Sequence, residues 1–471
     1  MAIARMKFLD KQEEDLVHAA SIETLNDMGV LVRSPSVLKM LGDAGAKIDE
    51  KTMIAKMPEE MVKDAIRKAA KEFVMGSRDG KHDLRIPAEG APFVGSNGIG
   101  TYMTDLETGK RRETNSKDVA DFARLADGLT GIDFFWSNVT AMEVPTALHM
   151  IYAQWVAFQN CTKNYGTLTL SARDAKVQIE LGSLIAGGRE QLKKKPVFHS
   201  LCCVVAPLSF ERGAIEGQCE LVKAGIPVIS MSMSLGGMSA PITLAGTITN
   251  ANTENLASLV ISQTAAPGAR HFYSSESTPG NMTTGNIVYE APETMLISAA
   301  TGQMAKRYGL PSYTGSWGVN GTTPGIPMSF CELSAITMSM FSGTDIAAGA
   351  GGLDQAKGGS LEQLLIDAYL WDNFKAFLRR FEITREKMAL DVVKEVGHGN
   401  TFLTHPHTAK NFKKELFFRD KTKAAFEATN SDAMIPQARK DVRKILAEHD
   451  VPKLDKEVLR QGEAIIKSIQ K

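Results

Sequence analysis

The stretch Gly225-Ile-Pro-Val-Ile-Ser-Met-Ser-Met-Ser-Leu-Gly-Gly237 decides the fold, because it joins a glycine, a short apolar strand and a loop of small residues. Gly225 follows a helical pattern and stands where a helix commonly ends in the left-handed conformation that glycine adopts freely. The same junction recurs at Gly268, Gly309 and Gly343. This alternation of helix and strand predicts a parallel sheet of the α/β class.

Seven apolar segments of strand length begin near residues 132, 161, 196, 226, 269, 310 and 344. Their spacing suits βα units, each of which takes roughly 30 residues or more. Seven such units predict a (β/α)₈ TIM barrel. Two segments compete for the eighth strand, residues 93–104 and residues 400–404, and an open doubly wound sheet is the alternative architecture.

Residues outside the barrel pattern are helical in character. Residues 1–90 carry amphipathic patterns and are expected to form an N-terminal helical cap, and residues 418–471 are expected to form a charged C-terminal helical tail. The barrel then occupies residues 91–417. Because no Gly/Ser-rich or Pro-rich linker separates the three parts, we expect the cap and the tail to pack on the barrel.

Charge is balanced overall and uneven along the chain. The 471 residues include 54 Lys and Arg and 54 Asp and Glu, which removes the broad positive field that binds nucleic acid or anionic membranes. Residues 196–353 contain only 14 charged side chains in 158 positions. Strands covered on both faces explain such a dry region, and helices that pack on another subunit also explain it. We therefore expect a homo-oligomer that binds no nucleic acid.

Localisation is predicted from what the sequence contains. The uncharged stretches 224–253 and 308–331 are interrupted by prolines, glycines and polar residues, so neither predicts a membrane-spanning helix. The first ten residues do not resemble a signal peptide, and the five cysteines show no CxxC spacing. These features favour a reduced cytoplasm.

Aromatic side chains concentrate near the predicted strand ends, where a barrel places its active site. Ring faces and an opposing charge can hold a quaternary ammonium group, which has no N–H to donate. Each ring has barrel packing as its competing interpretation. The aromatic candidates are Phe134, Phe135, Trp136, Tyr165, Phe272, Tyr273, Tyr313 and Trp317.

Few polar residues accompany these rings. Glu276 is nearly alone as a charge in its loop and is a candidate partner for a cation, with a solvated loop carboxylate as the alternative. His199 and Lys163 lie within apolar strands, where a salt bridge or a satisfied core residue competes with a role in binding a carboxylate. His405 and His407 lack further ligands at metal spacing, so no tightly bound metal is predicted.

Several segments resemble, in order and spacing, the trimethylamine:corrinoid methyltransferase family. The likeness extends from about residue 15 to residue 420. Its segments are Asp105-Leu-Glu-Thr-Gly-Lys-Arg-Arg112, Gly285-Asn-Ile-Val-Tyr-Glu-Ala-Pro-Glu293, Arg307-Tyr-Gly-Leu-Pro311, Ala348-Gly-Ala-Gly-Gly-Leu353 and Gly397-His-Gly-Asn-Thr-Phe-Leu403, with His407-Thr408.

The resemblance implies an oligomeric (β/α)₈ barrel that moves a methyl group from an amine to the Co(I) of a corrinoid. The corrinoid is held on a separate corrinoid-binding protein, so the barrel supplies no catalytic nucleophile of its own. The family's founding branch carries pyrrolysine in the loop after the sixth strand. Residues 316–332 here are all ordinary amino acids, which resembles the non-pyrrolysine branch that acts on quaternary amines.

From this resemblance we expect glycine betaine as the substrate and dimethylglycine as the product. The expected cation box comprises Trp136, Tyr273, Tyr313 and Trp317, and His199 or Asn138 is expected to contact the betaine carboxylate. Trp317 is the foremost of these because its loop coincides with the family's functional loop. Carnitine and proline betaine are alternative substrates, and a non-catalytic barrel that binds quaternary amines is the alternative function.

Overall fold

A computed structural model describes residues 5–315, 321–325, 334, 337–338, 340–416 and 431–470. The N-terminal part contains three helices and five short strands, and the strands were not anticipated from the helical patterns. In chain order these elements are α1 (Lys11–Asp27), β1 (Val30–Val32), α2 (Pro35–Asp43), β2 (Lys47–Asp49), β3 (Ile54–Lys56), α3 (Glu59–Lys68), β4 (Phe73–Met75) and β5 (Leu84–Ile86).

Fifteen further strands follow in the part of the chain that the structure describes. They are β6 (Phe93–Ser96), β7 (Tyr102–Thr104), β8 (Arg111–Glu113), β9 (Phe134–Trp136), β10 (Asn164–Leu168), β11 (Phe198–Val204), β12 (Ser209–Phe210), β13 (Val228–Ser232), β14 (Leu235–Gly236), β15 (His271–Ser275), β16 (Thr278–Pro279), β17 (Ser312–Thr314), β18 (Ile346–Ala350), β19 (Gly352–Leu353) and β20 (Gly358–Gly359).

The remaining described helices alternate with these strands and then form the C-terminal part. They are α4 (Ser116–Gly128), α5 (His149–Asn160), α6 (Ala172–Ala186), α7 (Arg189–Lys194), α8 (Arg212–Lys223), α9 (Leu244–Ala265), α10 (Pro292–Arg307), α11 (Leu361–Phe374), α12 (Leu390–Val396), α13 (Pro406–Glu415), α14 (Ser431–Glu448) and α15 (Lys456–Ile469).

Eight parallel strands close into a barrel in the order β6, β9, β10, β11, β13, β15, β17, β18. The predicted (β/α)₈ fold is thereby confirmed, and all seven predicted segments contribute a strand. Strand β6 pairs with both β18 and β9 and is the eighth, so the candidate segment 93–104 is correct. Residues 400–404 lie outside the barrel.

The predicted glycine junctions precede barrel strands as expected. Gly225, Gly268, Gly309 and Gly343 have φ values of 78°, 83°, 60° and 81°, a region that residues with a Cβ rarely enter. Each therefore lets the chain leave a helical segment and turn directly into β13, β15, β17 or β18. Side chains define helix starts elsewhere, as at Asn115, whose carboxamide forms a capping box with Asp118 at α4.

One end of the barrel is closed by the hairpin of β4 and β5. Phe73 and Leu84 from this hairpin share a buried cluster with Phe134 and Phe272, which lie near the beginnings of their strands. The Gly76 amide also donates to the Pro196 carbonyl just ahead of β11. The carboxyl ends of the strands are therefore the end at which a substrate site can open.

Part of the charge-poor middle of the chain is covered by the chain itself. Helix α9 is buried along most of its length and packs against α1, α3, α8 and α10. The low content of charged residues in this helix therefore does not require another subunit. Tail helix α14 packs on α4 and α11, and α15 packs on α5 and α6. No helix in the described ranges combines the length and the apolar character that crossing a membrane requires.

Candidate active site

Strand alternation decides which residues of β15 reach the barrel interior. Successive side chains of a strand point to opposite faces, and Phe272 packs in the cluster inside the barrel. Tyr273 therefore faces outward, where its hydroxyl donates to Asn252 Oδ1 of α9 at 2.7 Å. The expected place of Tyr273 in the cation box is not supported. The sequence indicates that Tyr273 lies near the end of a strand, but it does not indicate which face of the strand carries the side chain.

Glu276 lies on the interior side of β15, four residues beyond Phe272. It accepts a hydrogen bond of 3.1 Å from the Tyr313 hydroxyl to its Oε1 atom and remains partly exposed. Burial raises the pKa of the Glu276 carboxyl to about 7, while the bond from Tyr313 lowers it. A Cβ atom at Gly315 would collide with this carboxylate, so the absence of a side chain at Gly315 leaves room for Glu276.

Two further residues lie within electrostatic reach of Glu276 and were not predicted from the sequence. The pKa of Tyr289 is raised by burial first and then by the negative charge of Glu276, which places this ring within electrostatic reach of the carboxylate. Cys203 follows Leu201 on the interior face of β11 and is partly exposed. Tyr289 lies in a loop without periodicity, so no strand or helix pattern could have indicated it.

Trp136 lies inside the barrel, on the strand opposite β15 in the barrel order. Its ring meets the His199 ring at a centroid distance of 5.9 Å and an angle of 90°. Glycines leave space for the indole: a Cβ at Gly98 would lie 2.6 Å from Trp136 Cδ1, and one at Gly166 would lie 3.1 Å from Cδ2. The structure thus brings Trp136 and Tyr313 into one interior cluster, and their place in a cation box stays a prediction.

His199 is a neutral ring whose tautomer follows from its neighbour. Asn164 Nδ2 donates to the carbonyls of Gly76 and Pro196, at 2.7 and 2.9 Å, so Asn164 Oδ1 is the acceptor that faces His199 Nδ1 at 2.7 Å. Nδ1 therefore carries the hydrogen, and Nε2 is a buried acceptor without a partner among the described atoms. Burial lowers the pKa of His199 to about 3. Such a ring does not attract a carboxylate.

Asn138 is also unsuited to the predicted carboxylate contact. Its Nδ2 atom donates to the Ala350 carbonyl at 2.8 Å, which leaves Oδ1 as the buried atom without a partner in the described ranges. The side-chain amide of another asparagine presents a hydrogen-bond donor where Asn138 presents an acceptor. Asn97 lies two residues beyond Gly95 of β6, and its Nδ2 donor is buried and unpaired among the residues that the structure describes.

Two other sequence candidates make contacts that stabilise the fold, and a third lies outside the described residues. Lys163 Nζ donates to the carbonyls of Ala126, Leu129 and Ile132 at 2.6–2.7 Å, which ties the end of α4 to β10. His405 Nδ1 accepts from the His407 amide at the start of α13. Trp317 lies outside the described residues, and its role stays a prediction.

Comparison with known proteins decides the family. The profile described as "Trimethylamine methyltransferase (MTTB)" matches residues 1–469. The chain belongs to the trimethylamine methyltransferase family. It is 28% identical over 462 residues to the trimethylamine methyltransferase MttB of Methanosarcina barkeri (strain Fusaro / DSM 804), covering 97% of this chain and 93% of that protein. The chain is therefore a methyltransferase of this family.

Two further proteins, one similar in sequence and one similar in structure, bear on the substrate and on the fold. A glycine betaine methyltransferase of Desulfitobacterium hafniense (strain Y51) is 24% identical over 469 residues, covering 98% of this chain and 97% of that protein. The crystal structure of the Methanosarcina barkeri monomethylamine methyltransferase MtmB matches with a TM-score of 0.56 and 13% identity, covering 94% of this chain and 88% of that chain. At this identity the structural likeness supports the barrel fold alone.

Proposed function

We propose that this methyltransferase takes a methyl group from a quaternary amine, with glycine betaine as the foremost substrate. The acceptor is the Co(I) of a corrinoid on a partner protein, and the products are dimethylglycine and methyl-Co(III). The observation that carries the proposal is the partly exposed Glu276 at the barrel mouth, whose carboxylate accepts from Tyr313 and lies within electrostatic reach of Tyr289. A carboxylate beside aromatic rings suits a cation that has no N–H to donate.

The reaction requires the barrel to position the substrate and to exclude water, and little else. Co(I) attacks the methyl carbon in line as the C–N bond breaks, and the electron pair of that bond stays on nitrogen. Because a quaternary nitrogen already bears a positive charge, it leaves as a neutral amine and needs no general acid. The barrel residues hold the cation in line for attack and exclude water.

The opposite end of glycine betaine is a carboxylate and needs a hydrogen-bond donor. Among the expected partners, His199 and Asn138 each present a bare acceptor instead. We assign this contact to Asn97, whose buried Nδ2 donor is unpaired within the described part of the chain. An unpaired buried donor is costly unless a ligand satisfies it.

The expected homo-oligomer is part of the proposal and finds support in the segment after α11. Helices α12 and α13 have no buried residue, and large apolar side chains stand exposed between residues 377 and 416. They include Phe377, Phe381, Ile383, Leu403 and Leu416, each more than half exposed. Exposed apolar surface of this extent marks a contact with another chain, and the chain's mass in sedimentation tests that reading.

The reaction is tested by mixing the purified chain with reduced cob(I)alamin and a panel of methylated amines. The panel contains glycine betaine, carnitine, proline betaine and trimethylamine, and the visible spectrum reports conversion to methyl-Co(III). Methylation with glycine betaine and not trimethylamine supports both the reaction and the substrate. Betaine binding by calorimetry without transfer to free cobalamin or to a corrinoid protein would instead favour the non-catalytic binding barrel.

A further inference from the structure

Among the described residues of the segment 91–350, large apolar side chains stand exposed at only one end of the barrel. Between residues 91 and 350 they occupy five described positions, each 47–63% exposed: Leu170, Val205, Met238, Ile242 and Met282. Every one lies in a loop that follows a barrel strand, after β10, β11, β13 or β15. All five are therefore at the open end, the end at which Glu276 lies.

These five residues, here called the apolar rim, follow four consecutive strands of the closed barrel. Two of the loops are joined by the pairing of β14 with β16. Their side chains converge there: a Cβ at Gly237 would lie 2.8 Å from Met282 Cε and 2.9 Å from Ile242 Cδ1. The rim is thus an arc along one half of the mouth, with a methionine-rich centre.

The loops that carry the rim are also poor in charge, with Glu211, Glu276 and Glu290 near the loop ends. Residues 169–171, 205–210, 233–243 and 277–289 contain no Asp, Glu, Lys or Arg. Charged residues are depleted at the centres of protein interfaces, where methionine is enriched. Exposed apolar surface of this kind marks an interaction site, and flexible methionines adapt to a partner's shape.

The position of the rim determines which partner it suits. The β4–β5 hairpin closes the other end of the barrel, so a methyl acceptor must approach Glu276 through the mouth. A corrinoid held on a protein brings that protein's surface against the loops of the mouth. We propose that the apolar rim is the docking surface of the corrinoid-binding protein; this rests on the proposed function.

Two acceptors separate docking from chemistry. The corrinoid-binding proteins encoded in the same genome are expressed and loaded with hydroxocobalamin, and the one that the wild-type chain methylates fastest serves as the protein acceptor. Free cob(I)alamin serves as the small acceptor. The rim variant is Leu170→Ser with Met282→Ser. Its matched control is Leu16→Ser with Met28→Ser, because these residues are 62% and 64% exposed at α1, compared with 59% and 60% in the rim.

We expect the rim variant to lose at least tenfold in kcat/KM for the protein acceptor and to stay within twofold of wild type for free cob(I)alamin. The control should match wild type with both. Equal rates of the rim variant and wild type with the protein acceptor overturn the docking surface, as does an equal loss with both acceptors. A changed mass of the rim variant in sedimentation also overturns it, since the rim then joins copies of this chain. A wild-type chain silent with both acceptors overturns the proposed function itself.

Discussion

The Tyr313 hydroxyl donates to Glu276 Oε1 at 3.1 Å and so links the ends of two neighbouring strands, β17 and β15, at the mouth of the barrel. The bond opposes the effect of burial on the Glu276 carboxyl: burial disfavours its charged form, and the hydroxyl favours it. With a pKa of about 7, the carboxyl changes charge in the neutral range. Its attraction for a cation changes with it.

Replacing Glu276 by Gln should weaken glycine betaine binding at pH 8 by at least tenfold, because the amide keeps the shape and loses the negative charge. Calorimetric titration with glycine betaine measures this without any corrinoid. Glu211→Gln is the matched control, since Glu211 lies at the same end of the barrel but pairs with Arg33 at 2.9 Å. Unchanged affinity in Glu276→Gln would remove this carboxylate from the site.

Glycine betaine affinity should rise between pH 6 and pH 8 with a midpoint near 7. Below the midpoint Glu276 is protonated, and the association constant falls by up to about tenfold per pH unit for a single titrating group. Tyr313→Phe removes the donor that lowers this pKa, so its midpoint should lie higher. Tyr273→Phe is the control, because that hydroxyl faces Asn252 outside the barrel. A midpoint shared by wild type and Tyr313→Phe contradicts the assignment.

The barrel followed from the sequence because its signals are local: a glycine at four of the junctions and a short apolar segment for each strand are visible in a few residues. Glu276 was also visible, as a rare charge in a dry loop. Tyr273 was misplaced because side-chain direction depends on the register within β15, and a shift of one residue exchanges interior for exterior. The candidate roles of Asn97 and Tyr289 became visible only in three dimensions, through an unpaired amide and through proximity to a charge.

Gly315→Ala should abolish glycine betaine binding while the chain stays folded. The added Cβ would meet the Glu276 carboxylate, so the carboxylate must leave its position beside Tyr313. Gly325→Ala is the control from the same region, because a Cβ there would have no atom within 4 Å. Circular dichroism checks folding and calorimetry checks binding. Full affinity in Gly315→Ala would show that the carboxylate position is unimportant.

Asn97→Ala should cost more for ligands with a carboxylate than for ligands without one. The variant removes the unpaired Nδ2 donor and leaves Glu276 and the rings in place. Binding of glycine betaine should weaken by about tenfold, the value of roughly one hydrogen bond to a charged group. Binding of choline should change by less than twofold. Equal losses for the two ligands would assign Asn97 a structural role instead.

His271 should make the folded state sensitive to acid. Its ring is buried, with Nδ1 at 3.1 Å from Ser262 Oγ, and burial lowers its pKa to about 3. The unfolded chain has a His pKa near 6.5, so it binds the proton first as the pH falls. The stability contributed by the neutral ring is therefore complete above pH 6.5 and is lost progressively as the pH falls towards 3, by at most about 1.4 kcal/mol per pH unit.

His271→Leu should remove this dependence and leave that of His199, whose pKa is lowered in the same way. Urea unfolding at pH 7.5, 6.5, 5.5 and 4.5 measures the slope of the free energy of unfolding against pH. A loss of stability that is the same at every pH does not change this slope. His407→Leu, at an exposed position, should keep the wild-type slope, and a His271→Leu slope equal to it would contradict the assignment.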